Sequence, residues 1–163
     1  MFQNIPYEGT RSEQQAQVLG QLKALIHDEP SAIANLANAS ALLGHFLSDI
    51  NWVGFYLYDG KELVLGPFQG LPACIRIPLN RGVCGAAASQ RSTVVVEDVH
   101  AFPGHIACDA ASNSEIVVPM IVNGELYGVL DIDSPLKGRF DEEDQAFLEQ
   151  FVRLLEDQLS VQN

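Results

Sequence analysis

Three cysteines, Cys74, Cys84 and Cys108, are the residues of this chain most able to do chemistry. Their number is odd and the chain shows no secretory context, so a structural disulfide framework is not expected. Spaced cysteines then stand for redox chemistry, a metal site or ordinary core packing. Cys108 lies in Phe102-Pro103-Gly104-His105-Ile106-Ala107-Cys108-Asp109, read as a loop before a buried strand. A thiol reacts when it is ionised, accessible and close to positive charge or oriented donors. His105 favours ionisation of Cys108, Asp109 opposes it, and a buried, inert cysteine is the equally weighted plain reading. Cys84, in Arg81-Gly82-Val83-Cys84-Gly85-Ala86, sits where glycines let the backbone approach a neighbour closely. If that segment opens a helix, its free N–H groups can stabilise a thiolate; otherwise Cys84 is a small residue in a tight turn. Cys74 follows Leu71-Pro72-Ala73 in a loop, the place for a mobile second thiol that resolves an oxidised partner. No two cysteines form a Cys-x-x-Cys pair, so any disulfide must be built by the fold. A zinc set of Cys74, Cys84, Cys108 and His105 lacks the spacing of paired knuckles, and no metal is expected.

Carboxylates form a second group. Asp131 and Asp133 alternate along a strand and point to one face, while Ile132 points to the other. Two acids on one face repel unless one is protonated or both meet a cation. Glu115 opens the neighbouring strand and is placed to face the same site. Three converging acids can bind an ammonium group or hold one proton for an acid catalyst; the alternative is a solvated strand end. Trp52 and Tyr56, four apart on a strand, share a face as well. Such rings suit a thioether methyl, since sulfur packs well on aromatics, or else they are core aromatics.

The elements that position these residues are legible in the patterning. Val18, Leu22, Leu25 and Ile26 give a helix over 11–26. A second helix is expected after Glu29-Pro30, with Pro30 in its first turn. Its stripe is Ile33, Leu36, Leu43 and Leu47, with Ser40 interrupting it and Ala37 beside it. Residues 52–58 and 62–68 form a hairpin turning at Asp59-Gly60, and residues 116–122 and 126–132 form another at Asn123-Gly124. Short strands are expected at 75–79 and 93–96, a small-residue helical turn at 82–89 and a loop over 100–114. So long a loop in a compact domain is usually functional or disordered. Asp141 caps a final helix that buries Phe147, Phe151, Leu154 and Leu155. The order of elements, with tight hairpins and helices at both ends, gives an α+β fold built on an antiparallel sheet.

Composition narrows the function. The 163 residues suit a single domain over 1–163. With 9 Lys+Arg against 21 Asp+Glu, the net charge of −12 disfavours nucleic acid and an anionic membrane as partners. Residues 1–10 carry no basic lead-in or apolar run, and the apolar stretch 116–122 is too short to span a bilayer. A soluble, cytoplasmic protein is expected.

Taken together, several motifs resemble one family. These are Asn51-Trp52-Val53-Gly54-Phe55-Tyr56, Gly66-Pro67-Phe68-Gln69-Gly70 and Gly82-Val83-Cys84-Gly85. They continue in the block from Phe102 through Cys108-Asp109 to Ser112 and Ser114-Glu115-Ile116-Val117-Val118-Pro119, and in Gly128-Val129-Leu130-Asp131-Ile132-Asp133-Ser134. The chain resembles the free methionine-(R)-sulfoxide reductases, single-domain members of the GAF superfamily; a generic GAF domain shares the last motif but not the cysteines. The resemblance implies a sheet of about six antiparallel strands, terminal helices on one face and a ligand pocket on the other. It implies that Cys108 attacks the sulfoxide sulfur and that Cys84 or Cys74 resolves the product. Trp52 and Tyr56 match the wall around the substrate methyl, and Glu115, Asp131 and Asp133 match the acids that hold the ammonium and the sulfoxide oxygen. It implies no metal or organic cofactor, thioredoxin as reductant, and a homodimer as common among relatives. The competing reading is a GAF sensor of a small molecule such as a cyclic nucleotide; such sensors usually carry an output domain, and the negative charge disfavours a phosphate ligand.

Overall fold

In the computed structural model, which describes residues 1–106 and 109–161, six antiparallel strands form one sheet in the order β3-β2-β1-β6-β5-β4. The elements are α1 (Arg11–Ile26), α2 (Ala32–Phe46), β1 (Trp52–Tyr58), β2 (Glu62–Gly70), β3 (Arg76–Pro78), α3 (Gly82–Gln90), β4 (Val94–Val96), β5 (Ser114–Val122), β6 (Glu125–Ser134) and α4 (Glu142–Ser160). A 3₁₀ turn over Val99–Ala101 begins the long loop before β5. The two hairpins, β1–β2 and β5–β6, meet along β1 and β6. The acids and aromatics therefore lie on adjacent central strands.

Strand alternation separates two apolar layers. Val53 and Phe55 of β1, Ile116 and Val118 of β5, and Leu130 and Ile132 of β6 face α1, α2 and α4 in the larger core. Trp52 and Tyr56, Val117 and Val129 point the other way, toward α3 and β3. Full burial of such side chains contributes about 1.5–3 kcal/mol each, which locks the register. A slip of one residue would send every acid of β6 into the helical core.

Several local expectations meet different outcomes. Asn123 and Gly124 both take positive φ (52° and 79°), as an Asn-Gly hairpin requires. At the other hairpin only Gly60 does (φ 100°). Asp59 instead keeps an ordinary φ and its carboxylate accepts hydrogen bonds from Lys61 N and Glu62 N, each at 2.9 Å. The turn is thus held by an aspartate side chain rather than by two left-handed residues. Helix α2 is capped by Ser31, which leaves Pro30 outside the first turn. Its buried face is Leu36, Ala39, Ser40, Leu42 and Leu43; Ile33 in the first turn is 72% exposed, and Ala37 faces solvent. Ser40 is tolerated there because its hydroxyl donates to Leu36 O at 2.8 Å and lies 3.1 Å from Pro67 O. Asp141 caps α4 through a capping box with Asp144, as the sequence indicates. Among the described residues, no helix is long and apolar enough to cross a membrane.

Candidate active site

On the sheet face away from α1, α2 and α4 lies a cavity of about 40 Å³. Its floor is the end of β1, β5 and β6 where Trp52 pairs with Asp133 and Glu115 pairs with Asp133. Glu115, Asp131 and Asp133 line it, as do Trp52 and Tyr56, so the five residues singled out from alternation converge on one space. Glu115 is 6% exposed and Asp131 5%, which excludes the solvated strand end. Cys84 enters from α3.

The aromatic wall is rigid. Trp52 stacks on Tyr56 at 5.8 Å and on Phe68 at 5.1 Å between ring centroids. Trp52 Nε1 donates to Leu71 O at 3.1 Å, and the Tyr56 hydroxyl donates to Cys74 O at 2.9 Å. These two bonds pin the loop that carries Cys74 over the cavity. Burial, then the charge of Asp131, keeps the Tyr56 phenol protonated.

The electrostatics follow from placing three acids together, Glu115 and Asp131 buried and Asp133 half-buried. Burial pushes the Glu115 carboxyl well above the usual range, and Asp131 and Asp133 push it further. Asp133 is raised well above its usual value by burial first and by Asp131 next. Burial also raises Asp131, but hydrogen bonds from Glu115 and Cys84 pull it back down. Burial thus favours the protonated form of all three carboxyls, and at Glu115 every cause acts in that direction.

The cysteines do not behave alike. Cys84 is the third residue of α3, near the free N–H groups of a helix start, where a depressed pKa was one expectation. The opposite holds: burial, followed by Asp131 and Glu115, raises its thiol well above the ordinary value. Desolvation beside carboxylates outweighs the helix end. Gly85 permits this placement, since a Cβ there would lie 2.8 Å from Pro78 O and push α3 away. Cys84 is the free cysteine among the described residues, whereas Cys74 is disulfide-bonded. Cys108 lies outside the described residues. His105 lines the cavity, and burial, then His100, lowers its pKa. It is neutral near pH 7 and supplies no fixed positive charge. The soft-ligand set suggested by composition does not converge among the described residues; the group within ligand distance there is Cys84, Glu115 and Asp131.

Asn51, Asp109 and Ser112, present in the motifs but given no place in the pocket by the sequence, join the site. Asn51 Nδ2 donates to Asp109 Oδ2 at 2.9 Å and to Ser112 Oγ at 3.1 Å, tying the head of β1 to the loop before β5. Asp109 and Ser112 line the cavity beside Asp133. The signal in the sequence is an Asn directly before the first strand, in the motif that also holds Trp52 and Tyr56.

A sheet in the order β3-β2-β1-β6-β5-β4 with a cavity between it and α3 defines the class, and the chain belongs to the GAF domain family, whose profile matches residues 23–159. It is 56% identical over 162 residues to Protein YtsP of Bacillus subtilis, spanning 98% of this chain and 99% of that one. It is 59% identical over 133 residues to the free methionine-R-sulfoxide reductase of Escherichia coli, spanning 82% of this chain and 81% of that one. A solved structure of the free methionine-R-sulfoxide reductase of Neisseria meningitidis in complex with its substrate superposes with a TM-score of 0.90 at 44% identity, over 97% of this chain and 96% of that one. Within the GAF family, the chain groups with the free methionine-R-sulfoxide reductases.

Proposed function

We propose that this chain reduces free L-methionine-(R)-sulfoxide to L-methionine. The observation that carries the reading is the meeting of two buried acids, Glu115 and Asp131, a half-buried third, Asp133, and a stacked aromatic pair in one cavity, in a chain 59% identical to an enzyme of that name. The thiolate of Cys108 attacks the sulfoxide sulfur while Glu115, which holds its proton, protonates the oxygen. The substrate S–O bond breaks as its hydroxyl passes to Cys108 Sγ; methionine departs and Cys108 is left as a sulfenic acid, so the sulfur of the substrate is reduced and that of Cys108 oxidised. A second cysteine condenses with the sulfenic acid, releasing water and forming a disulfide. The disulfide engagement of Cys74, against the free thiol of Cys84, supports Cys74 in this step. Thioredoxin, a dithiol, returns the protein to the reduced state by exchange. A homodimer in the cytoplasm is the form in which we place this activity.

Selectivity for the free amino acid comes from its ammonium group, held by the ionised carboxylate of Asp131 and its neighbour Asp133. A substrate whose amine is blocked leaves that buried charge unpaired. N-Acetyl-methionine-(R)-sulfoxide is therefore expected to lower kcat/KM by about 10- to 100-fold, the scale of a hydrogen bond to a charged group. Equal kcat/KM for the two compounds would remove the ammonium from the account.

A further inference from the structure

Cys84 has no part in the reaction as proposed, yet it is buried against two of the acids. The Sγ of Cys84 and one oxygen each from Glu115 and Asp131 all lie within 4.8 Å of one another. Asp131 Oδ1 is buried and has no hydrogen-bond partner, although the rest of its side chain is in contact with the cluster. A buried, unpartnered carboxylate oxygen is destabilising, and a cation beside it removes that cost.

We propose that Cys84, Glu115 and Asp131 form a binding site for a thiophilic divalent cation, Zn2+ above all, that closes the cavity to substrate. The proposal rests on the reading of these acids as the substrate's seat only for its inhibitory half. Zinc takes thiolate sulfur at about 2.3 Å and carboxylate oxygen at about 2.0–2.2 Å in a tetrahedral shell. A small inward movement of three side chains meets those lengths. The fourth position opens on the cavity, whose volume of about 40 Å³ holds a metal-bound water. One sulfur and two oxygens suit a borderline-soft ion; calcium and magnesium need six or more oxygens or an octahedral oxygen shell. On binding, the ion displaces the thiol proton of Cys84 and the carboxyl proton of Glu115 to solvent, with no change of oxidation state. Asp133 is left as an uncoordinated neighbour, since the three ligand charges already exceed the two charges of the ion. The same carboxylates cannot then hold an ammonium group or donate a proton, so zinc and substrate exclude each other.

The test uses the oxidised protein, in which Cys74 is not a free thiol. Titration with Co2+ is expected to produce a thiolate-to-metal charge-transfer band that saturates at one equivalent and is displaced by Zn2+. The band should be absent from Cys84→Ala, and Asp131→Asn should weaken Zn2+ binding at least tenfold, with circular dichroism confirming that each variant is folded. With wild type under turnover, zinc is expected to inhibit in competition with the sulfoxide, and a chelator should restore the rate. Absence of a band in wild type, or a band that persists in Cys84→Ala, overturns the site. Metal binding without competition overturns the inhibitory half. A protein that binds Co2+ through Cys84 but reduces no sulfoxide would instead contradict the proposed reaction and leave the metal site standing.

Discussion

Replacing Cys108 with serine is expected to abolish reduction of free methionine-(R)-sulfoxide even in a single turnover without external reductant. The oxygen of serine is a far weaker nucleophile toward sulfur, and no other cysteine substitutes. Cys84 is buried, and both desolvation and the adjacent acids hold its thiol protonated; Cys74 is assigned the later step. The rate should fall by more than about 10³-fold, the scale on which loss of a nucleophile is felt. The complementary variant Cys74→Ser should release one methionine per protein and then stop, leaving a sulfenic acid on Cys108 that a sulfenic-acid-selective reagent labels. Quantifying methionine released per mole of protein separates the two. Release of one equivalent by Cys108→Ser would transfer the nucleophile to another cysteine.

The second large effect belongs to Glu115, and it has two signs. Glu115→Gln removes the proton donor, and kcat is expected to fall by about 10²–10⁴-fold, the usual worth of a positioned acid. The same change should stabilise the protein at neutral and alkaline pH. The folded-state pKa of Glu115 is raised above its unfolded value by burial and by Asp131 and Asp133. Its folded state is therefore favoured below the unfolded carboxylate pKa and loses stability as pH rises toward the folded pKa. Glutamine cannot ionise and escapes that loss. Thermal unfolding should show Glu115→Gln above wild type at pH 8, with the gap narrowing toward pH 5. Each kcal/mol relieved shifts Tm by about 2–4 °C in a domain of this size. A variant less stable than wild type at pH 8 would mean that Glu115 is held ionised by a partner, and the assignment of the proton to it would fail.

Much of the site was legible in the sequence because strand alternation is a strict constraint. Once 125–134 is read as a strand, Asp131 and Asp133 share a face, and Ile132 goes to the helical core; both hold. Trp52 and Tyr56 follow the same rule, although β1 pairs with an irregular stretch of β2 between them. What could not be read from spacing was anything set by the long loops. The burial of Cys84 depends on α3 closing over the sheet through Gly85, a contact between segments distant from the β5 and β6 acids. Its environment therefore reversed the expectation drawn from its place at a helix start. The bonds of Asn51 to Asp109 and Ser112 bridge about sixty residues, and no local pattern announces them. The stripe of α2 was displaced for a similar reason. Ile33 fits the helical period, but it falls in a first turn that projects beyond the core, and tertiary contact decides burial there.

The central claim is the reaction itself, and the most direct measurement is NADPH consumption with free methionine-(R)-sulfoxide and, separately, its S epimer, in the presence of thioredoxin and thioredoxin reductase. The account predicts sustained turnover of the R epimer and little of the S. No turnover of either epimer by reduced, folded protein would contradict it and leave a GAF cavity whose ligand is bound rather than transformed.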